Sequence, residues 1–215
     1  MLILLCFGCT GMQLAQFEKH AARGDHEWIA EQEIDCRKAS DGCSRLHLIK
    51  ADACLRLAEA NHSPAVNYAC AADELDQGLA LKPSWEDVVV QLDYQEKFCD
   101  SLSRLQDLQS GEGAQWRPDR FVEAAKDLYQ LAPDSVAAVY YLSRSRLKAI
   151  EPMLTDINAA TRIPVCNRLK RSLTDVLTMM ETAKGETMPG WDRLAERYER
   201  LAFDLGRAVR TADCR

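Results

Sequence analysis

Nine cysteines in 215 residues are the first feature of this chain with chemical consequences. Seven of them, Cys36, Cys43, Cys54, Cys70, Cys99, Cys166 and Cys214, follow residue 9. Thiols at this density can oxidise in pairs, hold a soft metal or pack as small hydrophobes. A metal reading recruits His20, His26, Cys36, Cys43 and His47, but the spacing lacks the tight pair-plus-pair of a zinc site, and no metal is expected. In a reduced protein all seven would serve as small buried hydrophobes. In an oxidised one they pair, and the spacing favours this reading. Cys36 with Cys43 closes a short loop rich in Asp, Ser and Gly. Cys54 and Cys70 each lie eight residues from residue 62, the centre of a polar turn between two helical stripes, so they fall opposite one another if those helices are antiparallel. Cys166 and Cys214 fall near the distant ends of the last two helical segments. Cys99 is left over. Such usage is natural in an oxidising compartment and heavy for a cytosolic protein.

Little else in the chain points to catalysis. The four histidines all lie in the first 62 residues, with no carboxylate at helical spacing that differs from an ordinary surface pair. Glu31 with Glu33, and Asp73 with Glu74 and Asp76, read as solvated faces. No glycine-rich phosphate loop and no serine in a nucleophile-elbow context occurs, so neither an enzyme nor a cofactor is expected. The net charge of −6 argues against a nucleic-acid groove, which needs basic faces to release counterions. The local patch Arg162, Arg168, Lys170 and Arg171 reads as a solvated helix face.

The elements that position these residues are helices. Ten glycines and seven prolines are spread thinly, and no run of alternating β-branched residues reaches strand length. The fold is expected to be all-α, antiparallel helix pairs stacked as a short array of seven to nine helices. The clearest pair runs from Leu46 to Pro83. Leu46, Ile49, Ala53, Leu57 and Ala60 form one stripe, and Tyr68, Ala71, Ala72, Leu75 and Leu79 the next, joined at Asn61 to Pro64. Before it, residues 12–34 suit an entry hairpin or one bent helix interrupted at Gly24-Asp25. After it, Ser84 is expected to cap a long helix carrying Trp85, Val88, Val89, Leu92, Gln95, Phe98, Cys99, Leu102 and Leu105. The stretch 110–118 reads as a loop and a possible boundary within one domain spanning 10–215. Asp119 and Asp134 are expected to cap the next two helices. A short piece from Met153 to Ala160 then precedes Pro164, followed by two long helices joined at Gly185 to Gly190.

Two family resemblances add to this. ELDQGLALKP (74–83) and AAKDLYQLAPD (124–134) resemble the close of a tetratricopeptide repeat, in which a second helix ends in a leucine-containing turn and then proline. The two prolines, Pro83 and Pro133, are 50 residues apart, so the repeats are degenerate or carry insertions. The resemblance implies a groove-forming array that binds a protein. At the start, MLILLCFG before Cys9 resembles a bacterial lipoprotein leader, residues 1–9, which implies a lipid anchor on Cys9 and attachment to a membrane. Thr10 rather than aspartate after the cysteine implies the outer membrane, with the body facing the periplasm. Together these imply an interaction module of an envelope or secretion assembly, binding a protein partner and no nucleic acid. The exposed aromatics expected to do so are Trp85, Trp116, Tyr140 and Tyr141. Two other roles fit the same sequence: a ligand-binding accessory lipoprotein for solute uptake, or a cytosolic adaptor or immunity-type protein.

Overall fold

The computed structural model describes residues 7–36, 38–108, 118–154 and 156–214. Among them are nine α-helices and no strand. The chain divides into two compact units between Gln115 and Trp116.

The first unit contains α1 (Phe7–Ala21), α2 (His26–Glu31), α3 (Asp41–Glu59), α4 (Pro64–Leu81) and α5 (Val88–Leu108). Its central element is α3, which packs against α1, α2 and α4, while α5 packs on α4. The helix starts where Ser40 accepts a hydrogen bond from the Cys43 amide at 3.2 Å, satisfying one of the amides orphaned at a helix start. Phe17, Ile29, Cys36, Cys43, Leu46 and Ala53 form the buried core on this side. The α3–α4 turn is tight. Asn61 and Ser63 both adopt positive φ, and Pro64 opens α4, where its missing amide hydrogen costs nothing. Farther along the pair the helices approach closely at Gly78, whose carbonyl accepts from the Ser44 hydroxyl at 2.6 Å. A Cβ there would stand 2.6 Å from Leu48 Cδ2, so only glycine fits without displacing Leu48.

The second unit contains α6 (Pro118–Leu131), α7 (Val136–Ile150), a 3-10 turn at Glu151–Met153, α8 (Ala159–Gly185) and α9 (Trp191–Thr211). Here α7 is the centre, packed by α6, α8 and α9. Every residue from Val136 to Ser145 is buried, the mark of a helix covered on all sides. Against it α9 turns a strongly amphipathic face, Leu194, Tyr198, Leu201, Leu205 and Ala208.

Several local expectations are corrected. Helix α5 starts at Val88, not after Ser84. Asp87 is the capping side chain, accepting from the amides of Val89 at 2.8 Å and Val90 at 3.4 Å. Val88, Val89 and Val90 are therefore on an exposed first turn rather than in the stripe, which begins to be buried only at Gln95. Helix α7 is capped by Ser135, whose hydroxyl accepts from the Ala138 amide at 3.0 Å, and not by Asp134. No separate helix from Met153 to Ala160 forms. Asn158 and Thr161 make a reciprocal capping box, and α8 runs from there straight through Pro164. Pro164 removes one backbone donor near the helix start, a disruption that the well-made cap and the long remainder of α8 tolerate.

Candidate functional site

Among the described residues there are three disulfides, Cys36–Cys43, Cys54–Cys70 and Cys166–Cys214, with Cα–Cα distances of 5.5, 6.1 and 5.3 Å. Each joins elements that sequence neighbours do not hold. The first pins the segment after α2 to the head of α3, the second crosses the α3–α4 hairpin, and the third ties the early part of α8 to the chain just beyond α9. Cys99 takes no part in these disulfides and is fully buried in α5. The helix α1 includes Gly8 and Cys9.

The histidines and carboxylates assemble in a way that local spacing does not reveal. Glu74, read above as part of a solvated face, lies mostly buried between His47 and Lys50. His47 Nδ1 is 2.6 Å from its Oε2, and Lys50 Nζ is 2.9 Å from its Oε1. Lys50 also donates to the Gln32 carbonyl at 2.7 Å, and His47 Nε2 faces the Cys36 carbonyl at 3.4 Å. Burial raises the Glu74 carboxyl, but hydrogen bonds from His47 and Lys50 and their charges outweigh it and hold Glu74 below the usual carboxylate range. The cluster therefore fastens the 32–36 segment to α3 and α4, beside the Cys36–Cys43 bridge. A second charged link joins α3 to α5. Lys97 sits 2.9 Å from Asp52 and 3.0 Å from Asp93, and these bonds raise its ammonium above the usual range despite burial, which acts to lower it. Neither group is arranged as a metal site. His20 is stacked on Trp28 and bonded to Asp25, Cys36 and Cys43 are joined to each other, and no cluster of three metal-ligating side chains occurs among the described residues.

Of the aromatics expected to be exposed, Tyr140 and Tyr141 are core residues, 2% and 0% exposed. They lie on the all-buried helix α7, where the ring of Tyr140 packs on Tyr198 and Arg197 lies over both tyrosine rings at 4.8 and 5.6 Å. Arg197 also donates to the Tyr140 hydroxyl at 3.2 Å, which satisfies the polar end of a buried ring. Trp116 lies outside the described residues. Trp85 is half-buried, with Lys82 over its ring at 5.7 Å and Tyr94 beside it at 6.3 Å. Beyond the exposed Glu86 and Asp87 come the exposed Val88, Val89 and Val90, so the first turn of α5 shows three apolar side chains to solvent.

In the second unit a groove of about 580 Å³ lies between α6, α7, the 3-10 turn and α8. Lys126, Arg146, Arg168 and Arg171 line it. The two arginines of the basic patch that face this groove thus meet a third, Arg146, from another helix, while Arg162 and Lys170 border a separate hollow beside Cys166 and Cys214. Burial holds the Arg146 guanidinium below the usual arginine range, Arg171 and Arg168 push the same way, and Asp175 and Tyr129 oppose. Asp175 is 3.9 Å from Arg146, and Lys126 is bound by Glu123 at 2.7 Å.

The chain matches no family model, no curated protein and no solved structure. No described helix is long and apolar enough to cross a membrane.

Proposed function

We propose that the chain is a lipid-anchored helical protein, tetratricopeptide-like in its pairing, that binds a protein partner of the cell envelope as part of an envelope or secretion assembly. In this reading Cys9 carries the lipid, the outer membrane holds it, and the helical body faces the periplasm. The observation that carries the binding role is the head of α5, where Val88, Val89 and Val90 are exposed in succession, three residues after the half-buried Trp85, on a stapled helical unit. The three disulfides support an oxidising compartment, since cytosolic thiols are kept reduced.

Two measurements test this. In a Gram-negative host the parent chain is expected in the membrane fraction and the Cys9→Ser variant in the soluble or unprocessed fraction; identical soluble partitioning of both removes the anchor. A photo-reactive residue at position 89 is expected to crosslink one discrete species in the native membrane, and Val89→Asp, exposed and harmless to the fold, is expected to abolish co-purification of that species. Crosslinking at 89 that yields no discrete adduct removes the interaction surface.

A further inference from the structure

The groove of the second unit carries a charge imbalance that packing does not require. Arg168 and Arg171 are three positions apart on α8 and so project from one side of it. Both are near enough to Arg146 on α7 to act on its charge, and neither has a carboxylate partner among the described residues. Asp175 alone faces the trio, at 3.9 Å from Arg146. Among the described residues, three guanidiniums set against the one carboxylate paired with them, Asp175, leave an excess of two positive charges at a cleft where Arg146 is half-buried and Arg168 and Arg171 are exposed. The fourth cation, Lys126, is already bound by Glu123. Like charges gathered at one cleft repel, and the repulsion is least screened at the half-buried Arg146. Apart from Asn167, the remaining lining is apolar, with Val122, Ala149, Ile150, Met153 and Pro164.

We propose that this groove is a binding site for a phosphomonoester attached to an apolar body. Such a group brings about −1.5 to −2 charge and three strong acceptor oxygens, which matches the excess charge and the forked donors of the arginines. A single carboxylate neutralises half of the excess. Bare phosphate leaves the apolar wall wet, whereas a carbon body covers it, and a groove of about 580 Å³ has room for both parts. The same chemistry is presented by a lipid with a terminal phosphate and by a soluble organic phosphate. The site is independent of the anchor and of the surface at the head of α5.

The test uses the full-length Cys9→Ser chain, so that no acyl group mediates partitioning. Calorimetric titration with monohexyl phosphate is expected to show one saturable site per chain, tighter than inorganic phosphate by about tenfold or more, because the alkyl group buries apolar surface. Arg168→Gln and Arg171→Gln, both exposed, are each expected to weaken it by about tenfold or more, with unchanged circular dichroism. Co-sedimentation with phosphatidylcholine vesicles, with and without phosphatidic acid, separates the two sources. Retention on the phosphatidic acid vesicles alone, lost in Arg171→Gln, assigns the ligand to a lipid. Saturable binding of monohexyl phosphate without vesicle retention assigns it to a soluble compound. Equal weak binding of inorganic phosphate, sulfate and monohexyl phosphate, binding that survives both arginine substitutions, or no saturable binding at all overturns the proposal.

Discussion

The two units solve the same problem, holding a central helix among its neighbours, with different chemistry. The first surrounds α3 with short-range staples and ion pairs: two disulfides spanning 7 and 16 residues, the His47–Glu74–Lys50 cluster and the Lys97 link to Asp52. The second surrounds α7 with aromatic and aliphatic packing, and closes with one disulfide spanning 48 residues. The difference follows from the central helices. Ser44 and His47 on α3 find their partners across the pair on α4, in the Gly78 carbonyl and Glu74, whereas α7 buries Ser143, Arg144 and Ser145 among Tyr140, Tyr141, Leu142 and Leu147 and meets Ser145 within its own turn, at the Leu142 carbonyl. One fold class, built from stacked helix pairs, thus accommodates central helices whose buried polar groups are met either by a neighbouring helix or by the helix itself.

The largest effect expected from breaking this contrast comes from the longest loop. Removing Cys166–Cys214 by a double alanine substitution should destabilise the second unit by about 4 kcal/mol, and removing Cys54–Cys70 should cost the first about 3 kcal/mol, through the freed unfolded chain. Chemical denaturation of the two variants measures this, and a larger loss from the shorter loop would show that native packing, not chain entropy, sets the order. Non-reducing peptide mapping of protein from an oxidising compartment should recover each of the three bridged peptides, with Cys99 in none of them.

Gly78→Ala tests the close approach in the first unit. The added methyl displaces Leu48, and overpacking of about 1–3 kcal/mol should exceed the gain of about 1 kcal/mol in helix propensity, a net loss read from the melting midpoint. In the second unit Tyr198→Phe removes the 2.6 Å hydrogen bond from its hydroxyl to the Val136 carbonyl. Burial pushes that phenol far above its usual range, so it stays a donor at all working pH values, and its loss should cost about 1 kcal/mol.

The smallest effect expected separates the units by acid. Because the folded carboxyl of Glu74 is held below its ordinary value of 4.5, its contribution is fully present above that pH and is lost as pH falls through the lower folded value. Stability of the first unit should therefore decline below about pH 4.5 with a slope that Glu74→Gln reduces. Equal acid slopes for parent and variant would remove the cluster from the account of why the units differ.

What could be read without coordinates was whatever repeats at short range. The stripe Tyr68, Ala71, Ala72 and Leu75 marks α4, and the stripe Leu194, Tyr198, Leu201 and Leu205 marks α9, because a face at 3.6-residue spacing must meet something apolar. The Cys54–Cys70 register followed from the same reasoning applied to an antiparallel turn. Caps were harder. Asp87 and Ser135 each lie within three residues of another plausible capping side chain, and which one turns back to the amides depends on where the neighbouring helices let the chain enter.

The candidate sites were legible only in part for the same reason. Trp85 could be named from its type, but the exposure of Val88 to Val90 depended on α5 starting at Asp87, past the turn that the apolar spacing suggested. Tyr140 and Tyr141 looked like surface anchors, yet α9 lies over them, and Arg197, 57 residues from Tyr140, supplies the partner their hydroxyls need. The amino-acid sequence by itself determined the all-helical class, the main stripes and the facing of Cys54 and Cys70, since these rest on periodicity and on symmetry about a turn. Only tertiary structure decided that Glu74 is mostly buried between His47 and Lys50, and that Arg146 meets Arg168 and Arg171. Charges gathered from separate helices have no spacing in the chain to announce them, and their energies depend on how much water the packed helices leave around them.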